Sequence, residues 1–206
     1  MNKFQNLYQK LYKKYGHPSG QWKIWCKRPK TYKEREEIII GAVLTQRTNW
    51  NNVERAISCL KEAGICSIYG VFENARKRKE KFADLIRSSG FYKQKAGYLF
   101  GLAKFIVETY GDIKEMKKQK LEKLRKELLS LKGLGKETTD SILLYALDKP
   151  IFVIDEYTRR LAKRYRLSEN FSYDSLQKLF QGNLPKNYRL YQDLHALIVI
   201  EEQKRQ

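Results

Sequence analysis

Residues 129–155, LSLKGLGKETTDSILLYALDKPIFVID, constrain the chain more than any other stretch. Gly133 and Gly135 stand one residue apart, where a backbone can turn with φ > 0 and come close to a partner. Leu128, Leu131 and Leu134 lead into the turn. Thr139, Ile142, Leu143 and Ala146 follow it at helical spacing. The pattern predicts a helix, a tight turn and a second helix. An apolar run, Ile151-Phe152-Val153-Ile154, then ends on a lone carboxylate, Asp155. A helix that opens just after Gly135 presents unpaired N–H groups and the positive end of its dipole, which suits a phosphate. Lys132 and Lys136 add charge on either side. Two glycines between helices are also what a helix C-cap followed by a turn looks like.

The bulk charge points the same way as the turn. With 42 Lys and Arg against 23 acids, the net charge is +19. Such an excess favours a polyanion, and nucleic-acid binding would then be driven by counterion release. A solvated basic face without a partner carries the same charge. At 206 residues the chain can bury a core as one domain or two small lobes. Cys26, Cys59 and Cys66 form no CxxC pair and no disulfide framework, so a reducing cytosol fits and small core residues are expected. The opening MNKFQNLYQKLYKKYG lacks the apolar segment of a signal peptide. No apolar run is long enough to cross a bilayer. The expected location is cytoplasmic and nucleoid-associated, with no membrane partner.

Alternating strand patterns are scarce, so the fold class is read as all-α. Phe4, Leu7, Leu11 and Tyr15 mark an amphipathic first helix, broken by Gly16, Pro18 and Gly20. Residues 34–44 read as a buried helix running into Thr45-Gln46-Arg47-Thr48-Asn49-Trp50, a polar patch suited to a working surface. Val53, Ala56, Ile57 and Leu60 continue as a helix towards Gly64. Residues 75–86 read as one basic helix ended by Ser88-Ser89-Gly90, with Phe91 at a turn tip. Leu99, Leu102, Phe105 and Ile106 mark the next, up to Gly111. Residues 114–132 read as a single charged helix with Leu121, Leu124 and Leu128 inside. Helices at 157–165, around 176–180 and at 188–202 complete the chain.

The segment around residues 128–146 resembles the helix-hairpin-helix of DNA repair glycosylases, and Asp155 falls where that superfamily keeps its catalytic aspartate. GAVLTQRTNW (41–50), SGFYKQKA (89–96) and LHALIV (194–199) resemble successive segments of the endonuclease III branch. The resemblance covers most of residues 36–200 and is strongest to the 3-methyladenine glycosylases. It implies two helical lobes with a DNA-binding cleft. Residues 35–149 would form the lobe ending in the helix-hairpin-helix motif. Residues 1–34 and 150–206 would form the lobe carrying Asp155.

The resemblance also implies roles. Gln46 would enter the gap left by a flipped base, and Phe91 would wedge into the duplex. Lys132, Gly133, Gly135, Lys136 and Thr138 would bind DNA. Trp50 would stack on the extruded base, and Trp22 and Trp25 would line its pocket. The plainer alternatives are a loop glutamine, a Phe91 folded into the core and tryptophans that anchor the core. Asp155 also suits an N-cap. The two jobs are compatible, because a helix start favours the ionised carboxylate and N-glycosidic cleavage wants a fixed negative charge beside an oxocarbenium-like sugar.

Two departures from the family pattern set further expectations. Bifunctional members carry a lysine two residues past the second hairpin glycine; here that position is Glu137, which cannot form a Schiff base. Lys136 is rotated by about 100° on a helix. A monofunctional hydrolase is expected, with Glu137 either orienting water or simply exposed at the helix start. Many relatives end in four cysteines that hold an iron–sulfur cluster, whereas no cysteine follows Cys66, so no cluster, metal or other cofactor is expected. The expected partner is double-stranded DNA with a damaged base, bound by a monomer. An alkylated purine such as 3-methyladenine suits an aromatic pocket, since a cationic base attracts ring faces and leaves readily. The alternatives are a thymine, uracil or adenine mismatch enzyme, a glycosylase with lyase activity, or a DNA-binding module without chemistry.

Overall fold

Helices supply every regular element among the described residues, 2–205, of the computed structural model. In chain order they are α1 (Lys3–Tyr15), α2 (Tyr32–Leu44), α3 (Trp50–Glu62), α4 (Ile68–Lys77), α5 (Lys79–Leu85), α6 (Tyr92–Tyr110), α7 (Ile113–Lys118), α8 (Leu121–Leu129), α9 (Lys136–Ser141), α10 (Glu156–Arg164), α11 (Tyr173–Asn183) and α12 (Tyr188–Gln203). Side-chain caps start many of them. Thr31 and Glu34 form a reciprocal capping box on α2, and Asn49, Ser67, Asp112 and Ser172 cap α3, α4, α7 and α11. Each such cap contributes about 1 kcal/mol. The fold is all-α. No helix among the described residues is long and apolar enough to cross a membrane.

The chain divides into two compact units. One is Pro29–Ile142; the other joins the N-terminal stretch through Arg28 to the chain from Leu143 onward. In the first, Ile38, Ile39, Ile40, Ala42, Val43 and Leu44 of α2 are all buried. A helix apolar on every side must be enclosed, and α3, α6, α7 and α9 pack around it. In the second, α12 is buried along most of its length and packs on α1 and α10. Phe152 stacks on Phe180 at 4.5 Å and meets Tyr191 edge-on at 5.5 Å.

Two helices expected to be continuous are broken. Residues 75–86 are split at Arg78, which takes φ −141° between α4 and α5. The apolar stripe Ile68, Val71, Ala75 would continue at 78–79, but Arg76, Lys77, Arg78 and Lys79 stand there. Arg76 and Lys77 reach back to Glu73, and no apolar side chain carries the stripe onward. Residues 114–132 are split at Gln119 and Lys120, both extended, and α8 stops at Leu129. Met116 and Leu121 are five residues apart, out of helical phase. Breaking the helix lets both chains of apolar contacts face inward.

Candidate active site

Within Pro29–Ile142, the turn between α8 and α9 is built on one strained position rather than two. Gly133 has φ +86°, and a Cβ there would stand 2.3 Å from the Tyr98 ring. Gly135 has φ −79° and open space around it, so the expectation that both glycines need φ > 0 is corrected. Gly135 instead is the extended N-cap of α9, and its lack of a side chain leaves the backbone open. Arg125 of α8 forks onto Asp140 of α9, Nε to Oδ1 at 2.7 Å and Nη2 to Oδ2 at 3.0 Å, and so ties the two helices. Gln46 donates from Nε2 to the Gly133 carbonyl at 2.9 Å and to Thr138 Oγ1 at 3.1 Å. Thr138 therefore faces inward, whereas Lys132, Gly135, Lys136 and Glu137 are exposed.

The same unit carries Phe91 and Trp50. Phe91 is 58% exposed and left-handed, with φ 47°, just before α6. Lys95 clamps the turn that displays it. Its ammonium, 1% exposed, donates to the Leu44 carbonyl at 2.8 Å and the Ser89 carbonyl at 2.6 Å. Burial pulls the Lys95 amine down to about 8. The clamp joins the end of α2, just ahead of Gln46, to the Phe91 turn. Trp50 opens α3 and is half-buried.

Asp155 lies in the other unit with Trp22 and Trp25. The run Ile151 to Ile154 is buried, and Asp155 ends it as the N-cap of α10. Its Oδ1 accepts the Thr158 amide at 2.7 Å, and its Oδ2 stands 3.3 Å from His195 Nε2. Burial alone would raise the carboxyl. The His195 charge and the Thr158 hydrogen bond outweigh that and hold it below the ordinary value. Its side chain keeps 13% of its surface open to solvent. The site thus holds an ionised carboxylate at the mouth of an apolar segment, able to stabilise a nearby cation.

Aromatic rings pack around His195 and Tyr145, behind the face of the imidazole that meets this carboxylate. Trp22 meets the His195 ring edge-on at 5.8 Å and lies 5.5 Å from Tyr145; Trp25 meets Tyr145 at 5.2 Å and Trp22 at 5.9 Å. Both indoles are buried. Trp22 also walls a cavity of about 400 Å³ shared with Tyr15, His17, Ile200 and Lys204, and its Nε1 is buried without a hydrogen-bond partner. The structure therefore links Asp155 to Trp22 and Trp25 through His195 and Tyr145, and groups Gln46 with the hairpin. Trp50 belongs to a different unit from the other two tryptophans.

His195, Tyr145 and Lys95 were not singled out from sequence. The signal for His195 was its place as a lone polar residue inside LHALIV. Tyr145 was hidden in the apolar stripe after the hairpin, and Lys95 among basic helix residues.

Known proteins share this architecture. Residues 40–186 match the model of the HhH-GPD superfamily of base excision DNA repair proteins. A candidate DNA repair glycosylase of Methanocaldococcus jannaschii is 43% identical, over 96% of this chain and 87% of its own length. An endonuclease III of Thermotoga maritima is 28% identical over 77% of this chain and 70% of its own. The crystal structure of an H. pylori 3-methyladenine DNA glycosylase bound to 1,N6-ethenoadenine superposes with TM-score 0.78 at 28% identity, covering 100% of this chain and 99% of that one. The chain belongs to the HhH-GPD superfamily of base excision DNA repair proteins.

Proposed function

We propose that this DNA repair glycosylase is monofunctional. It hydrolyses the N-glycosidic bond of a flipped alkylated purine, 3-methyladenine or a close relative, in double-stranded DNA. It acts as a monomer, in the cytoplasm at the nucleoid, without an iron–sulfur cluster or other cofactor. The observation that carries this reading is Asp155: a carboxylate held ionised, partly open, and linked through His195 to an aromatic cluster that includes Trp22 and Trp25.

As the C1′–N bond breaks, its electrons leave with the base and the sugar becomes cationic. A base that carried a positive charge departs neutral. Asp155 stabilises the sugar cation. Unit charges about 4 Å apart at an effective dielectric of about 20 attract by roughly 4 kcal/mol, about a thousandfold in rate. Water then adds to C1′ and its proton passes to Asp155 and on to solvent. Phe91, exposed on its clamped turn, fits a wedge that opens the stack, and the indoles offer ring faces to a cationic base. The H. pylori relative is bound to an alkylated adenine, which supports the choice of substrate class. Glu137 at the start of α9 supports hydrolysis over lyase chemistry, since it offers no amine.

Duplexes carrying 3-methyladenine, 1,N6-ethenoadenine, uracil or a thymine mismatch would be incubated with the protein and then treated with alkali or with borohydride. Strand cuts on the alkylated duplexes that need alkali, with nothing trapped by borohydride, are expected. Asp155→Asn should still bind while releasing no base. A borohydride-trapped adduct would replace this reading with a lyase, and preferential loss of uracil or thymine with a mismatch enzyme.

A further inference from the structure

We infer that His195 is the positioning residue for Asp155, and that Tyr145 decides which nitrogen of the His195 ring faces it. The inference rests on the reading of Asp155 as the carboxylate that serves glycosidic cleavage. His195 sits inside α12, 4% exposed, with Nε2 at 3.3 Å from Asp155 Oδ2 and Nδ1 at 2.8 Å from the Tyr145 hydroxyl. Tyr145 is fully buried and its hydroxyl has a second partner, the Gln192 carbonyl, at 3.2 Å. Trp22 and Phe152 meet the imidazole edge-on at 5.8 and 6.2 Å and limit its rotation.

Counting donors and acceptors selects the tautomer. A tyrosine hydroxyl has one proton to give and lone pairs to receive. With a neutral imidazole, the hydroxyl gives its one proton to Nδ1 rather than to the Gln192 carbonyl, and the ring proton sits on Nε2, on the side of Oδ2. With a charged imidazole, Nδ1–H donates to the hydroxyl oxygen, whose own proton turns to the Gln192 carbonyl. Nε2–H faces the carboxylate in both states. The remaining tautomer would set a bare Nε2 lone pair against the carboxylate, and is disfavoured. At 3.3 Å Nε2 and Oδ2 stand close without the alignment of a hydrogen bond. Such contacts tighten when substrate displaces water. Asp155 is then held at both oxygens, by the α10 backbone at Oδ1 and by α12 at Oδ2.

Fixing the ring fixes the carboxylate, so loss of His195 should free Asp155 to turn about its side-chain bonds. Other charges near the ring are already answered. Asp193, two residues before it on α12, pairs with Arg28 and lies 3.8 Å from His17. Cys26 contacts the Gln192 carbonyl through Sγ at 3.7 Å. Further along α12, Glu201 pairs with Lys14, Arg164 and Arg205, and Glu202 with Arg164. Among the described residues, no carboxylate besides Asp155 pairs with His195.

The experiment compares wild type, His195→Gln, His195→Leu, Tyr145→Phe and Asp155→Asn on a 1,N6-ethenoadenine or 3-methyladenine duplex, with kcat and KM measured against pH. His195→Leu should lower kcat about 100-fold with KM nearly unchanged, the size expected when a catalytic group is displaced by about 1 Å. His195→Gln keeps an N–H donor near the position of Nε2 and should recover activity to within about tenfold of wild type. Nitrogen-15 NMR of the wild-type ring should show the proton on Nε2, and Tyr145→Phe should mix the tautomers. A ring protonated on Nδ1 alone, a His195→Gln no more active than His195→Leu, or full activity in His195→Leu would each overturn the inference. Should His195→Leu fail to fold, the His195→Gln profile and the NMR assignment decide it. Full excision by Asp155→Asn would instead sink the assignment of the carboxylate, and the tautomer measurement would still judge the His195–Tyr145 pairing.

Discussion

The side-chain amide of Gln46 donates to the carbonyl of Gly133, 87 residues away in the chain, at 2.9 Å. With the second bond to Thr138, it seats the hairpin against the end of α2. Each such bond contributes about 1 kcal/mol net. Gln46→Ala should therefore lower stability by about 1–2 kcal/mol in a denaturant melt. It should also weaken binding to undamaged duplex roughly three- to tenfold, because a loosened hairpin grips every strand less well. A variant that loses affinity for damaged DNA alone would contradict the seating role.

Gly133 and Gly135 should respond differently to the same substitution. Alanine at 133 must accept φ +86° and push the Tyr98 ring away from a 2.3 Å contact. Left-handed strain costs about 1–2 kcal/mol and overpacking about 1–3, so Gly133→Ala should destabilise by about 2–4 kcal/mol. Gly135 has an ordinary φ and nothing within 4 Å of a built Cβ. Gly135→Ala should leave the melting temperature within a few degrees, yet reduce duplex affinity if the DNA backbone passes close to this glycine. Thermal melts beside binding titrations separate the two effects.

Lys95 gives stability an unusual dependence on alkaline pH. Its amine is lowered from 10.5 to about 8 in the folded protein. Between these values the unfolded chain binds the extra proton, so stability rises with pH across that window. The gain is on the order of 2 kcal/mol. Cys66 acts oppositely from pH 9, because burial raises its thiol from 9.0 to about 11. The difference between wild type and Lys95→Met isolates the lysine. From pH 7.5 to 9.5, wild type should gain stability relative to the variant. Lys95→Met should also leave the Leu44 and Ser89 carbonyls unpaired and loosen the Phe91 turn, seen as faster amide exchange at residues 88–92.

The parts of this molecule that could be read from sequence are those set by local chemistry. Phe4, Leu7 and Leu11 repeat with the period of a helix, and α1 buries all three. The apolar run into Asp155 announced a sheltered carboxylate, and the structure places Asp155 as the N-cap of α10. The helix breaks at Arg78 and Lys120 were harder to see, because neither needs a proline or glycine. Each depends on how two short apolar stripes reach the core. His195 and Lys95 were out of reach for another reason. A histidine in an apolar helix reads as core, and a lysine after Tyr92 reads as a solvated face. Only the fold brings His195 to Asp155, 40 positions back, and closes the Leu44 and Ser89 carbonyls around Lys95.

On the proposed monofunctional reading, Glu137 offers a way to turn hydrolysis towards lyase chemistry. It occupies the first turn of α9 and is exposed. Lys136 beside it carries an amine but projects about 100° away on the helix, which is why its presence need not confer strand cleavage. Glu137→Lys moves an amine to the position where bifunctional relatives keep theirs. In the proposed reaction a neutral lysine there would add to C1′ as the base leaves with the C1′–N electrons, the C1′–O4′ bond would then open to give a Schiff base, and loss of a C2′ proton would expel the 3′ phosphate. The adduct trapped by borohydride should rise at least about tenfold over wild type, while Glu137→Gln should leave excision within about threefold and trap nothing. Lys136→Ala serves as the control and should not change trapping in either background. If wild type already traps as strongly as Glu137→Lys, and Lys136→Ala abolishes it, then the neighbouring amine does reach the sugar and the rotation argument fails.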